Sequence, residues 1–268
     1  MIRLARNSAT LDGLHAVMTK MEPRELARVS MIRQQRALVS ADFGDEYQKA
    51  RPQLAEMQHG KCGYCEKRVE VAYNDVEHFR PKTTAVRGGG MVDTGYWWLA
   101  WHIPNLLFAC VQCNRQYKKD SFPLAPASVA LPAGWYPPGG ELPGLLDPIH
   151  DDPVDHIVFR PVDGERRWLA FPRSGSMRGM QTIQLLQLNR GSLADAYELH
   201  VREALRPRIH DLQRRAESRD LQKAWSSCLR ALLRVSSSFA ALSHDVIDYY
   251  FPAAWRAENG THLPHPPI

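Results

Sequence analysis

The sequence predicts an α+β fold, a compact cysteine-framed core set within a mainly helical chain. Residues 61–124 hold two Cys-x-x-Cys pairs, clustered aromatics and short apolar runs in place of any helical period. On either side, apolar residues recur at spacings of three and four, the signature of helices with one buried face. Near residue 160, two strand-like runs meet at an Asp-Gly turn. With 268 residues, the chain can bury a sizeable core without disulfide staples.

Taken in order, residues 1–60 read as a helical lead-in, carried by EPRELARVSMIRQQ and EYQKARPQLAEMQHG. Residues 61–124 form the chemically dense part, with GGG at 88–90 marking a turn. Residues 125–190 are proline-rich at first and read as a wrapping segment that ends in one hairpin, DHIVFRPVDGERRWLAF. Residues 191–268 read as packed helices, with Val201, Leu205, Ile209 and Leu212 on one face, Ser192 as N-cap and Pro207 as a kink or break. No internal repeat is visible.

Composition narrows the function class. No run approaches the roughly 20 apolar residues that span a bilayer. The opening MIRLARNSATLDG has no apolar signal-peptide stretch, and four of the five cysteines fall in CxxC pairs. A cytoplasmic, reducing setting is expected, with no membrane partner. The net charge of +5 leans toward polyanions without deciding the matter.

Cys62 and Cys65 in KCGYCE, with Cys110 and Cys113 in ACVQCN, make two knuckles. Two such knuckles supply the tetrahedral thiolate set that structural zinc prefers, with metal–sulfur bonds of about 2.3 Å. A redox CxxC normally sits beside a βαβ unit, which neither pair does. A closed four-thiolate site does no chemistry of its own; it staples everything from Glu66 to Ala109. Cys228, on an apolar helical face, reads as a core residue.

The stapled stretch contains NDVEHFRPK, an extended run with a Glu-His pair ended by proline, then YWWLAWHIPNLLFAC. Asn114 follows the last knuckle directly. The order of His78, Asn105 and Asn114 inside a CxxC frame resembles the HNH nucleases with their ββα-metal fold, over about a quarter of the chain. In detail, CGYCE, VEHFRPK, YWWLAW, NLLFACVQCN and FPL resemble the HNH subunits of retron-associated and Septu-type anti-phage defence systems.

The resemblance implies a phosphodiester hydrolase, with His78 as the base, Asn105 positioning the loop and the histidine, and Glu77 and Asn114 as metal ligands. An amide oxygen where the commonest family pattern has histidine favours magnesium or manganese at this second site. Phosphodiester hydrolysis needs these parts: a neutral base for water, a cation for the developing charge, and basic groups for flanking phosphates. Asp75 shares a strand face with Glu77 and is a reserve ligand. Adjacent strand residues point to opposite faces, so Glu77 and His78 can serve one site only where the strand ends, as Pro81 suggests.

Arg80, Lys82, Lys118 and Lys119 flank the site in sequence and are the candidates for nucleic-acid phosphate contacts, against an ordinary solvated surface. Asn114 has a competing use as a helix cap. Trp97, Trp98 and Trp101 read as local core. Between Val201 and Val235, nine Arg or Lys face four Asp or Glu, which suits a solvated helix face or a binding surface. His200, His210 and His244 show no ligand spacing.

The expected function is therefore a DNA endonuclease of a defence system. The resemblance also implies a companion ATPase of the ABC and structural-maintenance (SMC) type. An RNA nuclease acting on transfer RNA and a non-catalytic zinc module are the alternatives.

Overall fold

The computed structural model describes residues 1–4, 8–137 and 139–267, except for the side chains of 8–10, 13, 16, 17 and 20. The opening run quoted above thus falls partly outside the described residues. By internal contacts the chain divides into two units. The first contains residues 1–3, 65–67 and 152–268; the second contains 4–64 and 68–151. Mixed helix and small sheets make the structure α+β, as expected.

In the second unit, α1 (Ser8–Gln35) and α2 (Arg51–Met57) flank two 3₁₀ turns at Ser40–Phe43 and Glu46–Ala50. The link after α1 is held by charge: Arg36 forks onto both oxygens of Asp42, and that bond draws the Asp42 carboxyl down to about 2. Leu14, Met18 and Val29 of α1 and Leu54, Ala55 and Met57 of α2 share one core with Trp101.

That core also takes Val76 from β1 (Asp75–His78) and Leu106 and Phe108 from a later strand that pairs with β1. Between the two runs a small hairpin of β2 (Thr84–Val86) and β3 (Val92–Thr94). Its tip is the glycine run, where Gly89 and Gly90 have φ of 74° and 79°. The pairing strand is β4 (Leu106–Ala109), antiparallel to β1 with Glu77 opposite Leu107 and His78 opposite Leu106. Trp101 and Trp98 are buried and Trp97 is half-buried against the core, as their crowding suggested.

The carboxamide of Gln58 closes the outer edge of β4 by accepting from the Phe108 amide (2.9 Å) and donating to the Phe108 carbonyl (2.7 Å). The Gly63 amide, inside the first knuckle, donates to the same carbonyl at 2.9 Å. The chain then leaves β4 through the second knuckle into a π-helical segment, Gln112–Lys118.

The first unit is built on the expected hairpin, β5 (Ile157–Val162) with β6 (Arg167–Pro172). Asp163, Gly164 and Glu165 turn it in left-handed conformations. Around it stand α3 (Met177–Leu185), α4 (Gly191–His200), α5 (Arg206–Arg214), α6 (Leu221–Leu232), α7 (Ala240–Tyr250) and α8 (Ala253–Glu258).

Two local expectations change here. Ser192 is not the cap of α4; Arg190 holds that position, and its carbonyl accepts from both the Leu193 and Ala194 amides. The helix does not stop before Pro207 but widens into a π-helical turn, Val201–Leu205. A proline without an N–H fits the first turn of the α5 that follows. Cys228 is buried on α6, and burial pushes its thiol up to about 11, as suits a core residue.

His200 ends α4 with its Nε2 2.8 Å from the Ser243 hydroxyl, and burial lowers its imidazole to about 4. The unfolded chain takes up that proton near pH 6.5. The stabilisation is therefore complete at neutral pH and is lost as pH falls from the unfolded value toward 4. Between pH 7 and 5, this group should cost about 1–2 kcal/mol of stability. Urea unfolding followed by tryptophan fluorescence should show a shallower pH dependence in His200→Gln.

Candidate active site and its cysteine frame

The four sulfurs of Cys62, Cys65, Cys110 and Cys113 lie within 4.8 Å of one another and all four residues are buried. None is in a disulfide. Sulfurs arranged tetrahedrally at about 2.3 Å from one ion lie roughly 3.8 Å apart, so this cluster can hold a structural metal such as zinc. The Cys113 amide points at the Cys110 sulfur, 3.4 Å away, and such a donor stabilises thiolate charge.

β1 and the π-helical segment form the walls of a cleft of about 470 Å³, into which Asp75, Glu77, His78, Lys82, Asn114, Arg115 and Lys119 project. His78 is the last residue of β1, and both it and Glu77 line the one cleft, so the predicted strand end does resolve the conflict of faces. His78 is 6% exposed. Its Nε2 lies 2.8 Å from the Ala100 carbonyl. A carbonyl only accepts, so Nε2 carries the hydrogen and Nδ1 is left with its lone pair. The edge of the Tyr47 ring packs on the imidazole at 4.7 Å. Burial, then Lys82, holds the ring well below the usual histidine range, so it is neutral.

Asn105 lies outside the cleft and is fully engaged with backbone. Its oxygen accepts from the Arg80 amide (2.8 Å), and its nitrogen donates to the carbonyls of Arg80 (3.0 Å) and Leu99 (3.1 Å). Its own carbonyl accepts from the Phe79 amide at 2.9 Å. One side chain thus ties the exit of β1, just past His78, to the residue before Ala100, the group that orients the imidazole.

Glu77 is 4% exposed. Lys118 Nζ sits 2.6 Å from its Oε1, and the Tyr64 hydroxyl donates to the same oxygen at 3.1 Å. Burial raises the Glu77 carboxyl, and Lys118 opposes the rise. The other oxygen, Oε2, has no protein partner among the described residues. Asn114 is inside the π-helical segment rather than capping a helix. Its Nδ2 donates to Asp75 (2.9 Å), and among the described residues its amide oxygen has no protein donor.

Three expected residues are used differently. Asp75, expected as a reserve ligand, is engaged within the protein: Arg115 donates to both its oxygens, at 2.5 and 2.8 Å, and Asp75 in turn orients Asn114. Arg80 is buried, bonded to Glu141 at 2.8 Å and placed near Phe79 and Phe122, so its guanidinium is engaged inside the protein. Lys118 is wholly buried as the counter-charge of Glu77. Lys82 and Lys119 do line the cleft, together with Arg115, which the sequence reading passed over.

Tyr64, Tyr47 and Arg115 were not singled out from sequence. The only signal was their nearness to the knuckles and to the helical lead-in, since nothing in residue type tells a core tyrosine from one bonded to a carboxylate.

Gly95 fixes the wall of the cleft by close approach. A Cβ there would meet the backbone of Lys82 and Thr83 at 2.6–2.7 Å, and the Gly95 amide donates to the Thr83 carbonyl at 3.0 Å. The line of Lys82 and Thr83 along the cleft depends on this bare backbone.

Over 145 residues the chain is 38% identical to the Septu protein PtuB of Bacillus mycoides (strain KBAB4), covering 53% of this chain and 47% of that protein. Over 139 residues it is 28% identical to the Septu protein PtuA of the same strain, covering 51% of this chain and 18% of that protein. The chain therefore spans about half of one relative and about a fifth of the other. Homology relates half of it to Septu proteins, in keeping with the Septu side of the resemblance. No family model matches the chain, and no solved structure does. Among the described residues, no helix is long and apolar enough to cross a membrane.

Removing one member of a buried ion pair leaves the other charge without a partner, at a cost of about 3–5 kcal/mol. Lys118→Met should therefore destabilise the protein by that order, and Lys118→Met with Glu77→Gln should recover much of it. Denaturant midpoints of the two variants make the comparison.

Proposed function

We propose that this chain is a metal-dependent endonuclease of the HNH type that hydrolyses DNA as the effector of an anti-phage defence system. The observation that supports it most is the state of His78: a neutral ring, oriented through Nε2 by the Ala100 carbonyl, with Nδ1 unprotonated on a polar cleft. A general base for water needs this arrangement. In the reaction, Nδ1 takes the proton of the attacking water while Nε2 keeps its own. Asn105 is a positioning residue that holds the two strands of chain on which His78 and its carbonyl partner lie.

The donor set fits a hard divalent cation such as magnesium or manganese. Glu77 Oε2 and the Asn114 amide oxygen are side-chain oxygens of the cleft that no protein donor meets among the described residues, and a site with few protein ligands suits an ion that keeps water and phosphate in its shell. Such an ion supplies neutralisation of charge on the phosphate and on the leaving oxygen. Lys118 and Tyr64 hold Glu77 by its other oxygen and fix which one faces outward. Lys82, Lys119 and Arg115 bear positive charge on the same cleft and suit the phosphates flanking the cut.

Structural zinc in the four-cysteine cluster would lock β4 to the π-helical segment, because the second knuckle is the junction between them. Similarity to PtuB supports placing the chain in a Septu-type system, where we expect a companion ATPase of the ABC and SMC type as partner.

Purified protein incubated with plasmid, single-stranded DNA and transfer RNA in magnesium or manganese tests the activity. His78→Ala should lower cleavage by about 10²–10⁴-fold, with zinc content and melting temperature unchanged. Full activity in that variant would overturn the assignment of the base, and cleavage of transfer RNA alone would replace DNA as substrate.

The two metals should separate under chelation. Dilution into magnesium-free buffer should stop cleavage reversibly. Cys113→Ser, or a zinc-selective chelator, should unfold the cysteine-framed unit together with loss of bound zinc, read by atomic absorption and circular dichroism.

A further inference from the structure

A second cleft, of about 530 Å³, adjoins the proposed active site in the same unit. The two share Thr83, the residue that Gly95 holds in place, so they meet along that residue. The second cleft is lined on one side by Arg33 and Arg36 of the α1 end and on the other by Thr84, Asp93 and Thr94.

Its charges are unequally committed. Arg36 is held by both oxygens of Asp42, and Asp93 is met by Arg87 at 3.1 Å. The Thr84 hydroxyl donates to Asp120 at 3.0 Å, and Asp120 lines the first cleft. Among the described residues Arg33 has no carboxylate partner; its guanidinium lies 5.6 Å from the centre of the Trp97 ring. Stacking on an indole fixes a guanidinium in the plane without using its N–H donors. An arginine so placed keeps its charge and its donor fork for something outside the protein.

We infer that this second cleft is a subsite for the backbone of the same nucleic-acid strand, with Arg33 contacting a phosphate away from the scissile one. The inference rests on the nuclease reading for the identity of the strand. Its geometry stands on the shared wall at Thr83 and on the uncommitted, pre-oriented arginine. The chemistry is a phosphodiester contact without base reading, so it serves affinity and register rather than sequence choice.

Binding can be read apart from cleavage by placing Arg33→Gln in the full chain on a His78→Ala background. Fluorescence polarisation with a labelled oligonucleotide across 50–300 mM salt then gives affinity and slope. We expect about fivefold weaker binding near 0.1 M salt and a log–log slope smaller by about 0.7–0.9, the loss of one phosphate contact. Arg33→Lys, which keeps the charge, should restore the slope, whereas a purely structural role on Trp97 would not be rescued.

With His78 intact, Arg33→Gln should raise KM for the oligonucleotide at constant kcat and leave turnover of bis(p-nitrophenyl) phosphate unchanged, since that diester cannot reach the second cleft. Parental affinity and slope in Arg33→Gln would overturn the subsite. Absence of diester turnover by the parent protein would instead overturn the nuclease reading, while the binding measurement would still decide the cleft.

Discussion

A carboxylate taken out of water needs a counter-charge, and for Glu77 that charge is Lys118. The pair joins the third residue of β1 to the end of the π-helical segment, so two elements far apart in sequence are held by one short contact. Both groups are almost wholly enclosed, and neither would tolerate the loss of the other. Because Lys118 and Tyr64 both bind Oε1, the pair also settles which carboxylate oxygen is held inside the protein. The wide π-helical turn that brings Asn114 and Lys118 to β1 belongs to the same arrangement, in keeping with the tendency of such turns to occur at functional sites.

The histidine is organised by neutral groups instead. Asn105 spends its whole carboxamide on backbone and thereby holds the chain after His78 against the chain before Ala100. The Ala100 carbonyl then fixes the tautomer. Charge and orientation are thus supplied by separate devices, which allows a buried neutral imidazole to sit beside a buried ion pair. Tyr47 and Lys82 complete the surroundings from outside the strand pair.

Much of the candidate site was legible in the chain because its parts are local: Glu77 and His78 are adjacent, each knuckle is four residues long, and Asn114 abuts the last cysteine. The same locality showed the hairpin of β5 and β6 and the buried tryptophans. Misreadings arose where residue type leaves two uses open. Arg80 and Lys118 look like surface cations, yet each answers a buried carboxylate, Glu141 or Glu77, that only folding brings near. Ser192 is a good capping residue, but the chain entering α4 turns two positions earlier, at Arg190.

By itself the sequence determined the mixed fold class, the thiolate set, the helical flanks and the identity of the ionisable pair, because period, spacing and side-chain chemistry act over a few residues. Tertiary structure alone decided which oxygen of Glu77 meets Lys118 and Tyr64, which nitrogen of His78 meets the Ala100 carbonyl, that Asp75 serves Arg115 and Asn114, and that Arg33 lies over the Trp97 ring. Those outcomes depend on partners separated by tens of residues, and the cost of an unpaired buried charge or donor selects among them only once the chain has closed around them.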